Sequence, residues 1–174
     1  MNIVEKKAAN IELLILDVDG VMTNGQILIN DLGEEIKSFN VKDGQGLRLL
    51  LKAGIDVAII SGRLSRAVEH RAKDLGIKEV HLGVKDKETH CKKLMKRKKL
   101  KKDQVCCIGD DLPDLPMFNQ AGFKIAVADA VEEVREAANL VTKNKGGNGA
   151  VREVCEWILK ARNRWLDMIS PFKE

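Results

Sequence analysis

The sequence predicts an α/β; doubly wound fold, with a parallel sheet and helices on both of its faces. Three observations lead there. Short apolar runs alternate with stretches of helical pattern along the chain. Two of those runs end abruptly in pairs of acids, as strands do where a sheet's carboxyl edge carries chemistry. And 174 residues, 44% hydrophobic and 32% charged, suit one globular domain with an ordinary core, here residues 1–174.

The strands are expected at Leu13–Leu16, Val57–Ile60, Val80–Leu82, Val105–Ile108 and Lys124–Val127, with a weaker one near Leu140–Val141. Between them fall helical patterns at Gln45–Ala53, Leu64–Leu75, Lys87–Lys99, Leu112–Asn119 and Ala130–Ala138. A last helix is expected from about Gly149 to Arg164. One segment breaks the alternation. Gln26–Ile29 and Glu34–Phe39 flank the turn-forming Asn30-Asp31-Leu32-Gly33, which predicts a β-hairpin projecting where the first strand ends.

Composition removes several functional classes. No apolar run is long enough to span a bilayer, and Met1–Asn10 is polar with no export signal, so the cytoplasm is the expected location. Cys91, Cys106, Cys107 and Cys155 form no CxxC pair, and the adjacent two would point to opposite faces of a strand. All four read as reduced, buried, small apolar residues. The net charge of +4 is uneven: residues 85–102 hold ten Lys/Arg and two Asp/Glu, while the rest is net acidic. That basic stretch leaves open a nucleic-acid-binding module. However, 3% aromatics and no Tyr supply no stacking platform, and Cys91, Leu94 and Met95 give the helix an apolar face whose lysines are its solvated side.

Four segments carry chemistry. Leu13–Leu16 ends in Asp17-Val18-Asp19-Gly20. Residues two apart on a strand face the same way, and two carboxylates there repel unless a proton or cation sits between them. Asp-Gly also makes ordinary turns. Val105–Ile108 leads into Gly109-Asp110-Asp111-Leu112-Pro113-Asp114, acids that could equally cap a helix. Both clusters would meet on one sheet edge, and oxygen donors without His or Cys suit Mg²⁺ better than zinc. Ile59-Ile60-Ser61-Gly62-Arg63 places a hydroxyl and backbone amides at a helix start, where they can hold phosphate or merely cap. Lys87 opens the next helix but one, in a position that alone reads as surface charge.

In this order, each at a strand's end, the residues Asp17/Asp19, Ser61, Lys87 and Asp110/Asp111 resemble the haloacid dehalogenase superfamily of phosphatases, which implies a Rossmann-like fold. The finer segments Asp17–Val21, Phe39–Gly44, Ser61–Arg63, Gly109–Leu112, Val127–Ala130 and Gly146–Val154 resemble its 3-deoxy-D-manno-octulosonate 8-phosphate phosphatases, from about Glu12 to Lys160; Ala161–Glu174 lies outside any motif. The spacing independently points to a capless form, because 43 residues between Asp17 and Ser61 and 25 between Ser61 and Lys87 leave no room for a lid domain.

The resemblance implies a phosphomonoesterase of lipopolysaccharide precursor synthesis, working through an aspartyl-phosphate. Asp17 is its nucleophile, Asp19 its acid and base, and Ser61 and Lys87 the ligands of the phosphoryl oxygens. It implies Mg²⁺ on the Asp17 carboxylate, the Asp19 carbonyl and Asp110, with Asp111 one layer out. Substrate contacts carry over to Asn40, Val41, Lys42, Asp43, Gly44, Arg48, Arg63 and Arg71, beside Lys87. Arginines suit the carboxylate such a substrate carries besides its phosphate, although Arg48 and Arg71 equally suit a helix surface. Arg152 is a further candidate, reaching a neighbour's site. Relatives acting on nine-carbon keto-deoxy sugar phosphates tend to be acidic where this chain has Arg63, which favours the eight-carbon substrate. The resemblance also implies a homotetramer with its active sites at subunit interfaces and its hairpins packed around the central axis. No membrane or nucleic-acid partner is implied.

Overall fold

The computed structural model describes residues 3–173. Its centre is a parallel sheet in the order β5-β4-β1-β6-β7-β8. Here β1 is Leu13–Leu16, β4 Asp56–Ile60, β5 Glu79–His81, β6 Val105–Gly109, β7 Phe123–Ala126 and β8 Leu140–Val141. All six lie within a residue or two of their expected places. β1 and β6 are buried at every position, as strands covered on both faces must be.

The chain runs outward from β1 through β4 to β5, then crosses back to β6 and continues through β7 to β8. Right-handed crossovers therefore put the first helices on one face and the later ones on the other. Helices α2 (Val41–Lys52) and α3 (Arg66–Leu75) cover one face. Helices α4 (Lys87–Lys98), α5 (Leu115–Phe118) and α6 (Glu132–Ala137) cover the other. Helix α7 (Ala150–Ala161) returns to pack on α2 and on α1 (Ile3–Ala9).

The reversal of strand order falls between β1 and β6, whose registers pair Leu16 with Ile108. That is the switch point at which an open α/β sheet leaves a crevice beyond its carboxyl edge. Asp17 and Asp110 are the residues the two strands deliver there.

Three expectations need correction. The last helix does not run to Arg164: Asn163 adopts φ 55° and breaks it, and a short α8 (Trp165–Ile169) follows. Asn tolerates that left-handed conformation better than most residues. The segment Leu112–Asn119 begins as a 3₁₀ turn, Leu112–Asp114, before the single turn of α5. And α1 was not expected at all. The hairpin is present but brief, with β2 (Leu28–Ile29) pairing antiparallel with β3 (Glu35–Ile36). Asn30 holds its turn by accepting from Leu32 N and Glu34 N.

Cys91, Cys106, Cys107 and Cys155 are free and buried, as expected. Among the described residues no helix is long and apolar enough to cross a membrane.

Candidate active site

Asp17 leaves β1 buried, with its amide still donating to the Ile108 carbonyl of β6 at 3.3 Å. Its Oδ1 accepts from Lys87 Nζ at 2.7 Å, and the same ammonium donates to Asp114 Oδ1 at 2.7 Å. Lys87 sits at the first turn of α4, so the helix start aims it across the ends of β4 and β1. Asp114 reaches the same place because the 3₁₀ turn folds the chain back under the end of β6. Its Oδ2 accepts from Asp110 N at 2.9 Å.

Carboxylate oxygens of Asp17, Asp110 and Asp114 lie within 4.8 Å of one another. Three acids and one ammonium leave an excess of negative charge in a half-dry pocket. Burial, the Asp114 charge and the opposing Lys87 ammonium together leave the Asp17 carboxyl raised to about 6. Burial first, then Asp114, Asp17 and Asp111, push Asp110 to about 8. Burial would lower Lys87, but Asp17 and Asp114 hold it above its ordinary value.

Such a pocket takes up protons or a cation. Asp110 Oδ1 is buried without a hydrogen-bond partner, which leaves a lone pair for a ligand. Gly20, at φ 91°, allows the approach, since a Cβ there would overlap the Asp110 carboxylate. All the donors are oxygens. The residues therefore fit a hard divalent ion such as Mg²⁺.

Asp19 is half-buried beside the pocket, held by Lys37 of the hairpin limb and by Arg63 of the β4 loop. Lys37 Nζ donates to Asp19 Oδ1 at 2.5 Å and pairs with Glu35 Oε1 at 2.9 Å. Arg63 pairs with the other Glu35 oxygen, and its Nε lies 3.6 Å from Asp19 Oδ2. Ser61 is buried at the end of β4 and receives the Arg63 amide on its hydroxyl at 3.3 Å.

The remaining expected residues divide. Asn40 caps α2 through Lys42 N and Asp43 N, and Val41 and Lys42 are exposed in the first turn of that helix. Asp43 turns inward, accepting from Arg152 N at 2.7 Å and Gly149 N at 3.3 Å, so it ties α2 to α7. Gly44 is buried and lies against Arg71, where a Cβ would overlap the guanidinium. Arg48 and Arg71 share Asp74, and Arg71 also covers the Phe39 ring at 6.0 Å. Arg152 is engaged by Glu156 and Trp165 of its own chain. Asp111 is exposed; its carboxylate caps the Leu112 amide, while its own amide donates to Asp114 Oδ2 at 3.4 Å.

In the sequence Asp114 reads only as part of an acidic run. The signal that would have singled it out is Pro113, which starts a helical turn and so brings the residue four after Asp110 back to the strand's end. Glu35 and Lys37 carry no signal in the sequence beyond their place in the hairpin segment.

The family model for haloacid dehalogenase-like hydrolases matches residues 80–154. The chain is 48% identical over 159 residues to the 3-deoxy-D-manno-octulosonate 8-phosphate phosphatase KdsC of Yersinia pestis, covering 91% of this chain and 85% of that one. It superposes with TM-score 0.96 and 46% identity on the Moraxella catarrhalis phosphatase, crystallised with magnesium, phosphate and KDO, covering 99% of both chains. A cobalt-bound Haemophilus influenzae phosphatase matches with TM-score 0.88 and 46% identity over 91% of this chain and 93% of that one. The order of chemistry along the sheet edge and the likeness over nearly the whole chain agree, and the protein belongs to the KdsC family of 3-deoxy-D-manno-octulosonate 8-phosphate phosphatases within the haloacid dehalogenase-like hydrolases.

Proposed function

We propose that the protein hydrolyses 3-deoxy-D-manno-octulosonate 8-phosphate to the free sugar acid and phosphate, with Asp17 as nucleophile. The observation that carries this is Lys87 bridging Asp17 and Asp114 at the β1/β6 switch point. It fixes one oxygen of Asp17 and leaves the other to attack.

Asp17 attacks phosphorus, the bond to the sugar oxygen breaks, and Asp19 gives that oxygen its proton. Water then attacks the aspartyl-phosphate, Asp19 takes a proton from it, and phosphate leaves Asp17 free. Lys87 and Ser61 face the phosphoryl oxygens and hold their charge in a pocket where little water screens it. Mg²⁺ on Asp17, Asp110 and the Asp19 carbonyl, with Asp111 one layer out, neutralises phosphoryl charge when bound. Asp114 orients Lys87 and carries the Asp110 amide. Arg63 reads the substrate's carboxylate beyond the phosphate, with Asn40, Val41 and Lys42 at the sugar, and Arg48, Arg71, Asp43 and Gly44 shaping that wall.

The protein works as a homotetramer. Among the described residues no separate domain lies over the crevice, and the hairpin exposes Ile27, Leu28, Ile29, Leu32 and Ile36. A lone two-stranded hairpin is marginal in water, and pairing it with copies buries that surface.

Phosphate release measured across a panel of sugar phosphates tests the reading. The eight-carbon sugar acid should be the best substrate, and a nine-carbon analogue preferred over it would overturn the assignment. Asp17→Asn should keep the fold by circular dichroism and lose turnover by more than about 10⁴-fold, the scale on which a covalent nucleophile matters.

A further inference from the structure

The acids of the pocket are served by two separate cations. Lys87 takes Asp17 and Asp114; Lys37 takes Asp19 and Glu35. The second set closes on itself. Lys37 bonds Asp19, Glu35 bonds Lys37 through one oxygen and Arg63 through the other, and Arg63 returns to the second Asp19 oxygen at 3.6 Å. Charges alternate around this ring and cancel.

Strand geometry explains how the hairpin reaches it. Residues two apart share a face, so Glu35 and Lys37 point together to the site, while Ile36 between them is exposed. Phe39 continues the inward face, half-buried against the core beneath Arg71. The Lys37 side chain is 1% exposed, although lysines almost always keep their ammonium in water. A lysine so placed stays only where carboxylates meet its charge; here Asp19 Oδ1 accepts its hydrogen bond and Glu35 Oε1 pairs with it at 2.9 Å. Nothing in holding a hairpin's shape requires that; a threonine would serve the strand better.

We propose that Lys37 is a positioning residue for the general acid, and that Glu35 does the same for Arg63. Lys37 holds Asp19 Oδ1 and Arg63 flanks Oδ2 at 3.6 Å, so the ring fixes the rotation of the Asp19 carboxyl and with it the side from which the acid meets the departing sugar oxygen. Glu35 couples that aim to the guanidinium that reads the substrate. The hairpin is thereby part of the active site of its own chain as well as an assembly element. This rests on the reading of Asp19 as the acid.

A leaving-group series on the intact, Mg²⁺-loaded enzyme tests it. The readout is kcat/KM for dinitrophenyl phosphate, phenyl phosphate and the eight-carbon sugar acid phosphate. A dinitrophenolate departs without a proton, whereas an alkoxide needs one. Lys37→Met should lose little on the first ester and about 100-fold on the sugar phosphate, the low end of a general acid's contribution. Lys37→Arg should recover most of that loss. Glu35→Gln should raise KM for the sugar acid with less effect on kcat, and leave the aryl esters near wild type. If Lys37→Met does not fold, Lys37→Gln, which keeps a donor, takes its place with a smaller graded loss. Asp19→Asn, measured alongside, separates the two readings. A graded loss for Asp19→Asn with a uniform loss for Lys37→Met overturns this proposal alone. A uniform loss for Asp19→Asn overturns the acid assignment, and the proposal with it.

Discussion

The acid pocket and the hairpin are both built from a few charged residues, but they solve opposite problems. In the pocket, strand burial forces Asp17, Asp110 and Asp114 within reach of one another around one lysine, and the surplus negative charge is unresolved in the chain itself. In the hairpin, the charges of Glu35 and Lys37 are resolved within the chain, while the apolar side chains around them face solvent. Each region is incomplete in a different currency. The pocket carries more negative charge than Lys87 balances, and the hairpin exposes more apolar surface than its short ladder supports. Rigidity at the sheet edge can be made by one chain because β1 and β6 fix it from both sides. A two-residue ladder such as β2/β3 has no such support.

The sharpest break of this contrast is removal of the cation. Chelation should abolish turnover, by at least about 10³-fold, and added Mg²⁺ should restore it. Ca²⁺ should inhibit, since it prefers more ligands and would draw in both oxygens of Asp17. Full activity in excess chelator would mean that the surplus charge is met by protons alone.

Damage to the hairpin should be more selective. Ile29 is 65% exposed, so Ile29→Lys costs the isolated chain almost nothing. In an assembly it buries a charge where an apolar residue worth about 2 kcal/mol sat. Light scattering should show the variant dissociated. Its kcat on an aryl phosphate should stay within several-fold of wild type, while its KM for the sugar phosphate rises. A wild-type monomer fully active on the sugar phosphate would remove the assembly from the argument. At the boundary between the two regions stands Arg63. Arg63→Ala should cost about 1.5–3 kcal/mol on the sugar acid, as a charged hydrogen bond does, and little on an aryl phosphate. Equal losses on both would make it a phosphate ligand.

The same division explains what the sequence disclosed. Strands were legible because continuous apolar runs ending in acids are required of a sheet buried on both faces, and Asp17, Asp110 and Ser61 follow from that directly. Lys87 was legible only through its order relative to the others, because an opening lysine looks alike whether it turns into a pocket or out to water. Asp114, Glu35 and Lys37 are not singled out by local pattern, since each acts across 18 or more residues of chain or around a tight turn. Helix α1 escaped for the same kind of reason: seven residues are too few to be helical alone, and packing on α7 makes them so.

The smallest expected effect reads the surplus charge of the pocket through stability. In the metal-free protein Asp110 is raised from 3.8 to about 8, chiefly by burial and then by Asp114, Asp17 and Asp111. A raised carboxyl binds its proton more tightly folded than unfolded. The stability it contributes is therefore full below pH 4 and is lost as pH rises through 8. Between pH 7 and 8.5 the fold should lose about 1 kcal/mol or less, allowing for the partial exposure of the group, or about 2 °C in Tm for a chain of this size. Two nearby titrations fall outside this window, while the Cys91 thiol, lowered by its hydrogen bond with Cys107, acts with the opposite sign and works against the decline. Asp17, near 6, is already mostly ionised there, and His90, lowered by burial and by His81, is neutral. The buried thiols of Cys106, Cys107 and Cys155, all raised by burial, act with the same sign at higher pH. Thermal melts in chelator should show the decline; Asp110→Asn should flatten it, and saturating Mg²⁺ should too, because the ion takes the place of the proton. A metal-free Tm that holds level or rises from pH 7 to 8.5 would show that the three acids relax apart in solution, and that the pocket is not held together by the sheet.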